Sequence, residues 1–176
     1  GTVHVLESRS GIRMPVAPDE ARARVYACGI TPCGATHPGH AFTYLAVDLL
    51  NRTLLDTGRE LEYVQNVTDV DDPLLERAEA TGIPWQELAE QQTELFRADM
   101  TALRVLPPQP YLGVVESLDV IVDFLMRLRA TGRLYQIDDP EYPDWYCDVT
   151  GIELPGLTLD EALAVFAERG GDPERP

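Results

Sequence analysis

The stretch from residue 24 to residue 65 constrains the fold of this chain more than any other part of it. Residues 24–28 predict a short strand, and residues 38–57 predict a helix that starts at a proline and stops before Gly58. Residues 60–65 predict the next strand. A strand, a helix and a strand in this order form the βαβ crossover from which parallel sheets are built. The sequence therefore predicts an α/β fold with a parallel sheet.

Most of the remaining chain is predicted to be helical. Helices are expected at 74–80, 84–103 and 115–130, and short strands at 133–137 and 144–148. Thr158 and Glu161 have the spacing of a capping box, which predicts a last helix that ends near Gly170. Residues 1–23 are mixed and polar and predict an irregular lead-in with short strands.

Helical spacing also predicts which side of each long helix is buried. On the helix at 38–57 the apolar positions are Leu45, Leu49, Leu50 and Leu54. On the helix at 84–103 they are Leu88, Leu95, Phe96 and Leu103. We expect these two apolar faces to contribute to the core.

The segment Thr36-His37-Pro38-Gly39-His40 lies where the first strand gives way to the helix, and Thr36 or His37 is expected to cap that helix. The first turn of a helix offers free backbone N–H groups and the positive end of the helix dipole, which together suit a phosphate group. Gly39 lets a ligand approach the backbone, and His37 and His40 share one face of the turn. Their imidazoles are candidate hydrogen-bond donors to a phosphate whose charge rises in a transition state. The alternative is that the two histidines only cap the helix.

Three aspartates follow the second predicted strand, at the carboxyl end where ligands bind in open α/β sheets. Asp69, Asp71 and Asp72 are candidates for Mg²⁺ binding, because carboxylate oxygens are the ligands that this ion prefers. The alternative is turn and capping chemistry, since Asp72 precedes Pro73 and a predicted helix. We expect at least two of the three aspartates to serve this structural role.

The chain contains three cysteines, Cys28, Cys33 and Cys147. An odd number without a secretory signal predicts reduced thiols and a cytoplasmic protein. Cys28 ends the first strand nine residues before His37, so it is either a buried thiol, a zinc ligand or a nucleophile. Cys147 is expected to be a small buried apolar residue. A complete zinc site built from this chain alone is not expected.

The chain carries a net charge of −16, and its fourteen basic residues are all arginine. This balance disfavours an extended basic face for nucleic acid. Because there is no lysine, any step that needs a catalytic lysine has to use a part of the protein outside this chain. No apolar run has membrane-spanning length and the start lacks a signal-peptide pattern, so we expect no membrane partner.

Several stretches resemble cysteinyl-tRNA synthetases and their relatives. The stretches with this resemblance are 26–32 (YACGITP), 35–41 (ATHPGHA) and 63–72 (YVQNVTDVDD). Within that group the chain is most similar to the mycothiol-pathway cysteine ligases. The stretches that favour these ligases are 72–74 (DPL), 102–108 (ALRVLPP) and 168–173 (ERGGDP).

The resemblance implies a Rossmann-like nucleotide-binding fold of the class I aminoacyl-tRNA synthetase type, with a helical insertion and short strands. It further implies that residues 1–176 form the N-terminal part of the catalytic domain, incomplete at its C-terminal end and inactive alone. The intact enzyme would use ATP with Mg²⁺ to convert L-cysteine into cysteinyl-adenylate. It would then transfer the cysteinyl group to the amine of glucosaminyl-inositol in mycothiol biosynthesis.

The resemblance also implies roles for individual residues. His37 and His40 would be catalytic and stabilise the phosphates, and Cys28 would be a ligand of a zinc ion whose remaining ligands lie beyond residue 176. Zinc would hold the substrate thiolate and so reject serine, because zinc prefers sulfur. The residues expected to contact the adenylate are Cys28, Gly29, Ile30, Thr31, Thr43, Asn66, Val67 and Thr68.

The sequence departs from the family pattern at one place, and it leaves two alternative functions open. The family usually has Tyr-Asp where this chain has Cys33-Gly34, which affects the pocket for the amino acid and offers a thiol that competes for the metal. The first alternative is the catalytic domain of a cysteinyl-tRNA synthetase, with tRNA as acceptor. The second is a non-catalytic remnant, a binding module that kept the fold.

Overall fold

The computed structural model describes residues 1–8, 10–16, 21–148, 151 and 157–168 of the chain. Two compact units are present. The first comprises Gly1–Val5 and Pro15–Leu118, and the second comprises Leu6–Met14 and Asp119–Pro176. The candidate functional residues lie in the first unit.

The first unit is built on a three-stranded sheet. Its strands are β3 (Arg22–Ala27), β4 (Glu60–Val67) and β5 (Tyr111–Gly113), in the spatial order β3-β4-β5. Both pairings are parallel, and α1 (Pro38–Asp56) connects β3 to β4. The predicted βαβ crossover is thereby confirmed, with strand and helix limits within two residues of those expected.

The sequence did not predict β5, and this strand changes the end of its neighbour. Tyr111 pairs with Gln65, and Gly113 pairs with Val67. Because this pairing continues past the predicted end of β4, Asn66 and Val67 belong to the strand and not to the loop that follows it. Three residues after a run of prolines carry too little pattern to indicate a strand.

The two faces of the sheet differ in polarity. On one face Arg22 pairs with Glu60 at 3.1 Å and Arg24 pairs with Glu62 at 3.2 Å, and all four side chains are exposed. Opposite-charge pairs across neighbouring strands stabilise a sheet modestly. The buried residues of the other face are Ala23, Tyr63, Gln65 and Val67.

The buried side of α1 is only partly the predicted one. The buried residues are Tyr44, Asp48, Asn51 and Leu54. Leu54 confirms the prediction, whereas Leu45 and Leu49 are 40% and 68% exposed. Asp48 tolerates burial because it accepts hydrogen bonds from Arg52 Nε at 2.7 Å and from the Leu106 N–H at 2.8 Å. Asn51 is fully buried as well, and its amide has no hydrogen-bond partner among the described residues. The buried side of α1 thus includes two polar residues that hydrophobic spacing does not register.

Two helices connect β4 to β5, namely α2 (Asp72–Thr81) and α3 (Trp85–Ala102). They pack through a cluster composed of Leu74, Ala78, Leu88 and Ala89. Leu88 and Phe96 are buried as predicted, but Leu95 and Leu103 are each 42% exposed. Ala89 and Met100 are buried in their place. The predicted apolar face of α3 is therefore partly wrong, because the prediction did not count alanine and methionine as core residues.

A 3-10 turn at Val115–Ser117 leads into α4 (Leu118–Ala130), whose α-helical part starts three residues later than predicted. In the second unit the two short strands are present as predicted, β6 (Leu134–Gln136) and β7 (Trp145–Cys147), and they pair antiparallel. The Arg129 guanidinium lies 4.7 Å from the centre of the Trp145 ring.

The last described helix is α5 (Leu159–Glu168). The predicted capping box is present, because Glu161 Oε2 accepts from the Thr158 N–H at 2.8 Å and Thr158 Oγ1 accepts from the Glu161 N–H at 3.3 Å. These bonds hold the pKa of Glu161 below its usual value. The predicted end of this helix near Gly170 lies outside the described residues.

Two short strands, β1 (His4–Leu6) and β2 (Arg13–Pro15), pair in a sheet of their own. They agree with the predicted lead-in. Across the described part of the chain, none of the helices is both long enough and apolar enough to cross a bilayer.

Candidate functional site

Two loops at the carboxyl ends of neighbouring parallel strands form the candidate site. The loop after β3 contains Cys28 to Thr31, and the loop after β4 begins at Thr68. The Thr68 N–H donates to the Ile30 carbonyl at 2.9 Å, and Thr31 Oγ1 donates to Asp71 Oδ2 at 3.2 Å. The structure therefore brings together two segments that the sequence separates by almost forty residues.

Asn66 is the residue that connects these two segments. Its Oδ1 accepts from the Tyr26 hydroxyl at 2.8 Å and from the Gly29 N–H at 2.9 Å. Its Nδ2 donates to Thr68 Oγ1 at 3.3 Å. Asn66 was predicted to contact a ligand, but its side chain is engaged in holding the loop. Tyr26 was not predicted as part of the site, since a tyrosine in a short strand carries no signal of its own.

Gly29 packs directly against the backbone of β4. A Cβ atom added at this position would lie 1.5 Å from the Asn66 carbonyl oxygen and 2.5 Å from its carbonyl carbon. No side chain fits in that space, so glycine is required here for close backbone approach. The predicted site residue Gly29 thus fixes the position of the loop that carries Cys28.

The Cys28 side chain is exposed, and the backbone of Cys28 is held by a residue of α1. The Tyr44 hydroxyl donates to the Cys28 carbonyl oxygen at 3.0 Å. Burial, with smaller contributions from Tyr63 and Cys28, raises the pKa of Tyr44 to about 12, so this hydroxyl remains a donor at neutral pH. Tyr44 is a positioning residue that sequence reasoning missed.

His37 and His40 form a stacked pair at the start of α1, with ring centres 3.9 Å apart. His37 Nδ1 accepts from the Gly39 N–H at 3.1 Å, and His40 Nδ1 accepts from the His37 N–H at 3.4 Å. A ring nitrogen that accepts carries no proton, so each neutral ring is protonated at Nε2. The two Nε2–H groups make no hydrogen bond within the described part of the chain, and both are available as donors to a ligand.

The backbone of this helical turn is less available than the sequence predicted. The His37 carbonyl accepts from the N–H groups of His40 at 3.0 Å and Ala41 at 3.3 Å. The His37 ring takes the Gly39 N–H, and Pro38 has no N–H. The expectation of free N–H groups is therefore wrong, because the ring and the carbonyl oxygen of His37 accept their hydrogen bonds. Capping and ligand binding are compatible here, since they use different nitrogens of the same rings.

Partial burial, followed by the proximity of His37, lowers the pKa of His40 below the ordinary histidine value of 6.5. We expect the His37→Asn variant, which keeps a capping acceptor, to shift the His40 pKa upward. NMR titration of the imidazole protons measures the His40 pKa in the unmodified protein and in the variant. The pKa of His40 is lower in the folded chain than in the unfolded chain. At a pH between these two values the unfolded chain binds more protons, so protonation of His40 lowers the stability of the fold as the pH falls through this range. An unchanged His40 pKa in His37→Asn would contradict the coupling between the two rings.

Two of the three aspartates after β4 have structural roles, as predicted. Asp69 Oδ1 accepts from the N–H groups of Val114 at 2.6 Å and Val115 at 3.2 Å. Asp71 is the N-cap of α2 and accepts from the Asp72 N–H at 2.9 Å. These oxygens accept hydrogen bonds from backbone N–H groups, which leaves fewer of the aspartate oxygens for Mg²⁺.

Thr43, which was predicted to contact the adenylate, has its hydroxyl engaged within α1. Its Oγ1 donates to the Gly39 carbonyl at 3.1 Å.

Among the described residues, the cysteines do not form a metal centre with other side chains. Within 1–8, 10–16, 21–148, 151 and 157–168, no three His, Cys, Asp or Glu side chains are grouped so that they could hold a metal ion. Cys33 is half-buried and packs against the cluster between α2 and α3, so the structure gives no support to its competing for a metal. Cys147 is exposed on β7. Its predicted burial is wrong, because the short β6–β7 pair leaves this position uncovered.

A cavity of about 510 Å³ lies at the carboxyl ends of β4 and β5, bordered by Val67 and Gly113. Its carboxylate-bearing lining residues are Asp69, Glu90, Glu94 and Glu116. Apart from Arg97, the charged side chains that line it among the described residues are all acidic. The sequence did not predict this cavity, because its walls come from α3 and from the undetected β5.

Residues 15–156 match the protein family described as the tRNA synthetases class I (C) catalytic domain. Relatives include the L-cysteine:1D-myo-inositol 2-amino-2-deoxy-alpha-D-glucopyranoside ligase of Nocardia farcinica, which is 55% identical over 166 residues. The ligase of the same name from Catenulispora acidiphila is 56% identical over 160 residues. These matches cover 92% and 91% of the chain but 40% and 37% of the two relatives, so the chain spans about two fifths of the relatives' length.

Two solved structures have the same fold at low sequence identity. Methionyl-tRNA synthetase of Mycobacterium tuberculosis, in complex with methionyl-adenylate, matches 83% of this chain and 33% of its own with a TM-score of 0.58 and 17% identity. The LeuRS ternary complex of Agrobacterium radiobacter K84 matches 82% of this chain and 21% of its own, with a TM-score of 0.61 and 16% identity. These likenesses confirm the Rossmann-like α/β fold of the class I synthetase type.

Proposed function

Because this chain belongs to the family of class I (C) tRNA synthetase catalytic domains, we propose that the protein is an ATP-dependent ligase that activates L-cysteine. The acceptor in this proposal is the amine of 2-amino-2-deoxy-glucopyranosyl-inositol, the substrate named for relatives that are 51–56% identical. The chain covers only part of those relatives, so the activity belongs to the whole protein. The reaction would take place in the cytoplasm, where ATP is available and thiols remain reduced.

The observation that carries the proposal is the stacked histidine pair at the start of α1, the helix that follows the loop after β3. In the first step a carboxylate oxygen of cysteine attacks the α-phosphorus of ATP, and the bond to the departing pyrophosphate breaks. Negative charge on the phosphate oxygens rises as this happens. The Nε2–H groups of His37 and His40 lie at the helix start and have no partner among the described residues. We infer that they stabilise that charge. Mg²⁺ bound to ATP would neutralise the remaining charge of the phosphates.

In the second step the amine nitrogen of the sugar attacks the acyl carbon of cysteinyl-adenylate. The bond from this carbon to the AMP oxygen breaks, AMP leaves with the bonding electrons, and the proton lost by the nitrogen passes to water. The acidic cavity beside Val67 supports an amino sugar as acceptor, because carboxylates attract an ammonium group and repel the phosphates of tRNA. Glu90 lines this cavity, lies on α3 and is exposed, and it is a candidate partner for the amine or the sugar hydroxyls.

Cys28 is the residue of this chain that we propose as a zinc ligand. Its thiol is exposed at the candidate site and its backbone is fixed by Tyr44, which suits a metal ligand that holds the substrate thiolate. The described residues do not by themselves provide the further ligands that a tetrahedral zinc site needs. Neither reaction step is therefore assigned to zinc.

The experiment that tests the function uses the full-length protein. We expect exchange of labelled pyrophosphate into ATP that depends on cysteine and is much weaker with serine. With the amino sugar present, a cysteinyl amide and AMP should form in equal amounts. Absence of exchange would favour the non-catalytic alternative. Exchange followed by transfer to tRNA, and not to the sugar, would replace the acceptor and make the protein a cysteinyl-tRNA synthetase.

A further inference from the structure

A second cavity, of about 450 Å³, lies in the first unit between α1, α3 and the sheet. Its walls are largely apolar and include Phe96 and Met100 of α3 together with Val105 and Leu106. Tyr44 and Tyr111 add two aromatic rings. A cavity of this size with apolar and aromatic walls has the dimensions of a small-molecule site. No part of the proposed reaction uses it.

The cavity contains a buried amide with an unused donor. Gln65 is 2% exposed, and its Oε1 accepts from the Tyr63 hydroxyl at 2.9 Å. Its Nε2 has no hydrogen-bond partner among the described residues, although Gln65 lines the cavity. The buried Tyr111 hydroxyl, which lines the same cavity, is also without a partner in that part of the chain. Buried donors without acceptors are costly and rare in folded proteins, so a ligand with an acceptor atom would satisfy them.

The charge at this cavity is opposite to that of the protein as a whole. Arg97 and Arg104 line it, and no acidic side chain does so among the described residues. The chain has 30 acidic residues and 14 arginines, and the neighbouring cavity at the strand ends is lined by four carboxylates. Arg97 Nε is paired with Glu94 Oε1 at 3.5 Å, whereas Arg104 has no ion pair among the described residues. Arg104 is therefore the cation that favours a ligand with a negative charge.

We propose that this cavity binds a small aromatic carboxylate that also carries a carbonyl oxygen at its opposite end. The aromatic ring packs between the apolar walls, and the carbonyl accepts from Gln65 Nε2 and the Tyr111 hydroxyl. The carboxylate interacts with Arg104, because Arg97 is already paired with Glu94. Burial raises the pKa of Tyr111, which keeps this hydroxyl a donor at neutral pH. The proposal is independent of the ligase reaction, although Tyr44 lines the cavity and also holds the Cys28 carbonyl.

The test titrates the full-length protein with 4-carbamoylbenzoate by isothermal calorimetry. We expect a dissociation constant of about 0.1–1 mM, the range that a small fragment with one good pocket reaches. The comparison probe 4-methylbenzoate keeps the ring and the charge but lacks the carbonyl, and should bind about tenfold more weakly. This comparison uses the unmodified protein and so does not depend on a variant that folds.

Two variants locate the binding. Gln65→Met keeps the length of the side chain and removes the amide donor, and should weaken 4-carbamoylbenzoate about tenfold. Arg104→Gln should weaken the affinity for 4-carbamoylbenzoate about threefold, and this effect should be smaller at high salt. The matched variant Arg127→Gln, on α4, should leave the affinity unchanged. Thermal unfolding checks that each variant is folded. No binding to the unmodified protein, equal affinity for the two probes, or equal weakening by both arginine variants would each overturn the proposal.

Discussion

Gly29→Ala is expected to destabilise the first unit by about 3 kcal/mol or more, because a methyl group has no room at this position. Its Cβ would lie 1.5 Å from the Asn66 carbonyl oxygen, which belongs to the backbone of β4 and cannot rotate away. The loop with Cys28 has to move instead, and the hydrogen bond from the Gly29 N–H to Asn66 Oδ1 breaks. Misplacement of a site by about an ångström reduces catalysis about 10²-fold, so pyrophosphate exchange should fall to a similar extent.

The same substitution five residues along the chain provides the control. A Cβ atom at Gly34 would meet nothing within 4 Å, so Gly34→Ala should change the unfolding free energy by less than about 1 kcal/mol. Chemical denaturation of the two variants measures the difference directly. Equal stability of Gly29→Ala and Gly34→Ala would mean that the loop does not lie against Asn66 as described. Because this measurement concerns folding alone, it remains valid whichever reaction the protein catalyses.

His40→Ala is expected to reduce cysteine-dependent pyrophosphate exchange about 10²-fold or more, the usual effect of removing one donor that stabilises transition-state charge. The hydrogen bond that His40 contributes to the helix cap is long, at 3.4 Å, so the loss of stability should not exceed about 1 kcal/mol. The expected pattern is therefore a large loss of rate in a folded protein. Exchange kinetics and thermal unfolding of the same preparation measure the two effects.

Two variants separate a chemical role from a capping role. His40→Gln retains a side chain that reaches back to the N-cap backbone, as in common capping boxes, so it should restore stability without restoring the full rate. His4→Ala removes the remaining histidine of the chain, which lies on β1, and should leave exchange unchanged. If His40→Ala exchanges pyrophosphate at the unmodified rate, the histidine pair only caps α1.

The local pattern of the sequence was sufficient to predict the framework of the first unit. The order of β3, α1 and β4 followed from a strand pattern, a proline at a helix start and Gly58 at its end. These signals act between residues close in sequence, which is why they can be recognised without a structure. The capping box at Thr158 was predicted for the same reason, since its hydrogen bonds span three residues.

Long-range pairing was beyond such reasoning. The strand β5 exists because Tyr111 to Gly113 lie beside β4, and neither its composition nor its length indicates a strand. Its absence from the prediction placed Asn66 in a loop and left both cavities unseen. The two cavities also have opposite charge, which a single net charge of −16 cannot represent.

The same division applies to the candidate site. The sequence by itself determined that His37 and His40 start a helix at the carboxyl end of a strand, because the spacing of three residues places them on one turn. The structure adds that both rings use Nδ1 for capping bonds within this turn, and that their Nε2–H groups have no partner in the part of the chain that the structure describes. Contacts between distant segments were decided by the tertiary structure. It alone decided that Gly29 lies against Asn66 and that Tyr44 holds Cys28. Those contacts join segments distant along the chain, and they depend on packing that no local pattern records.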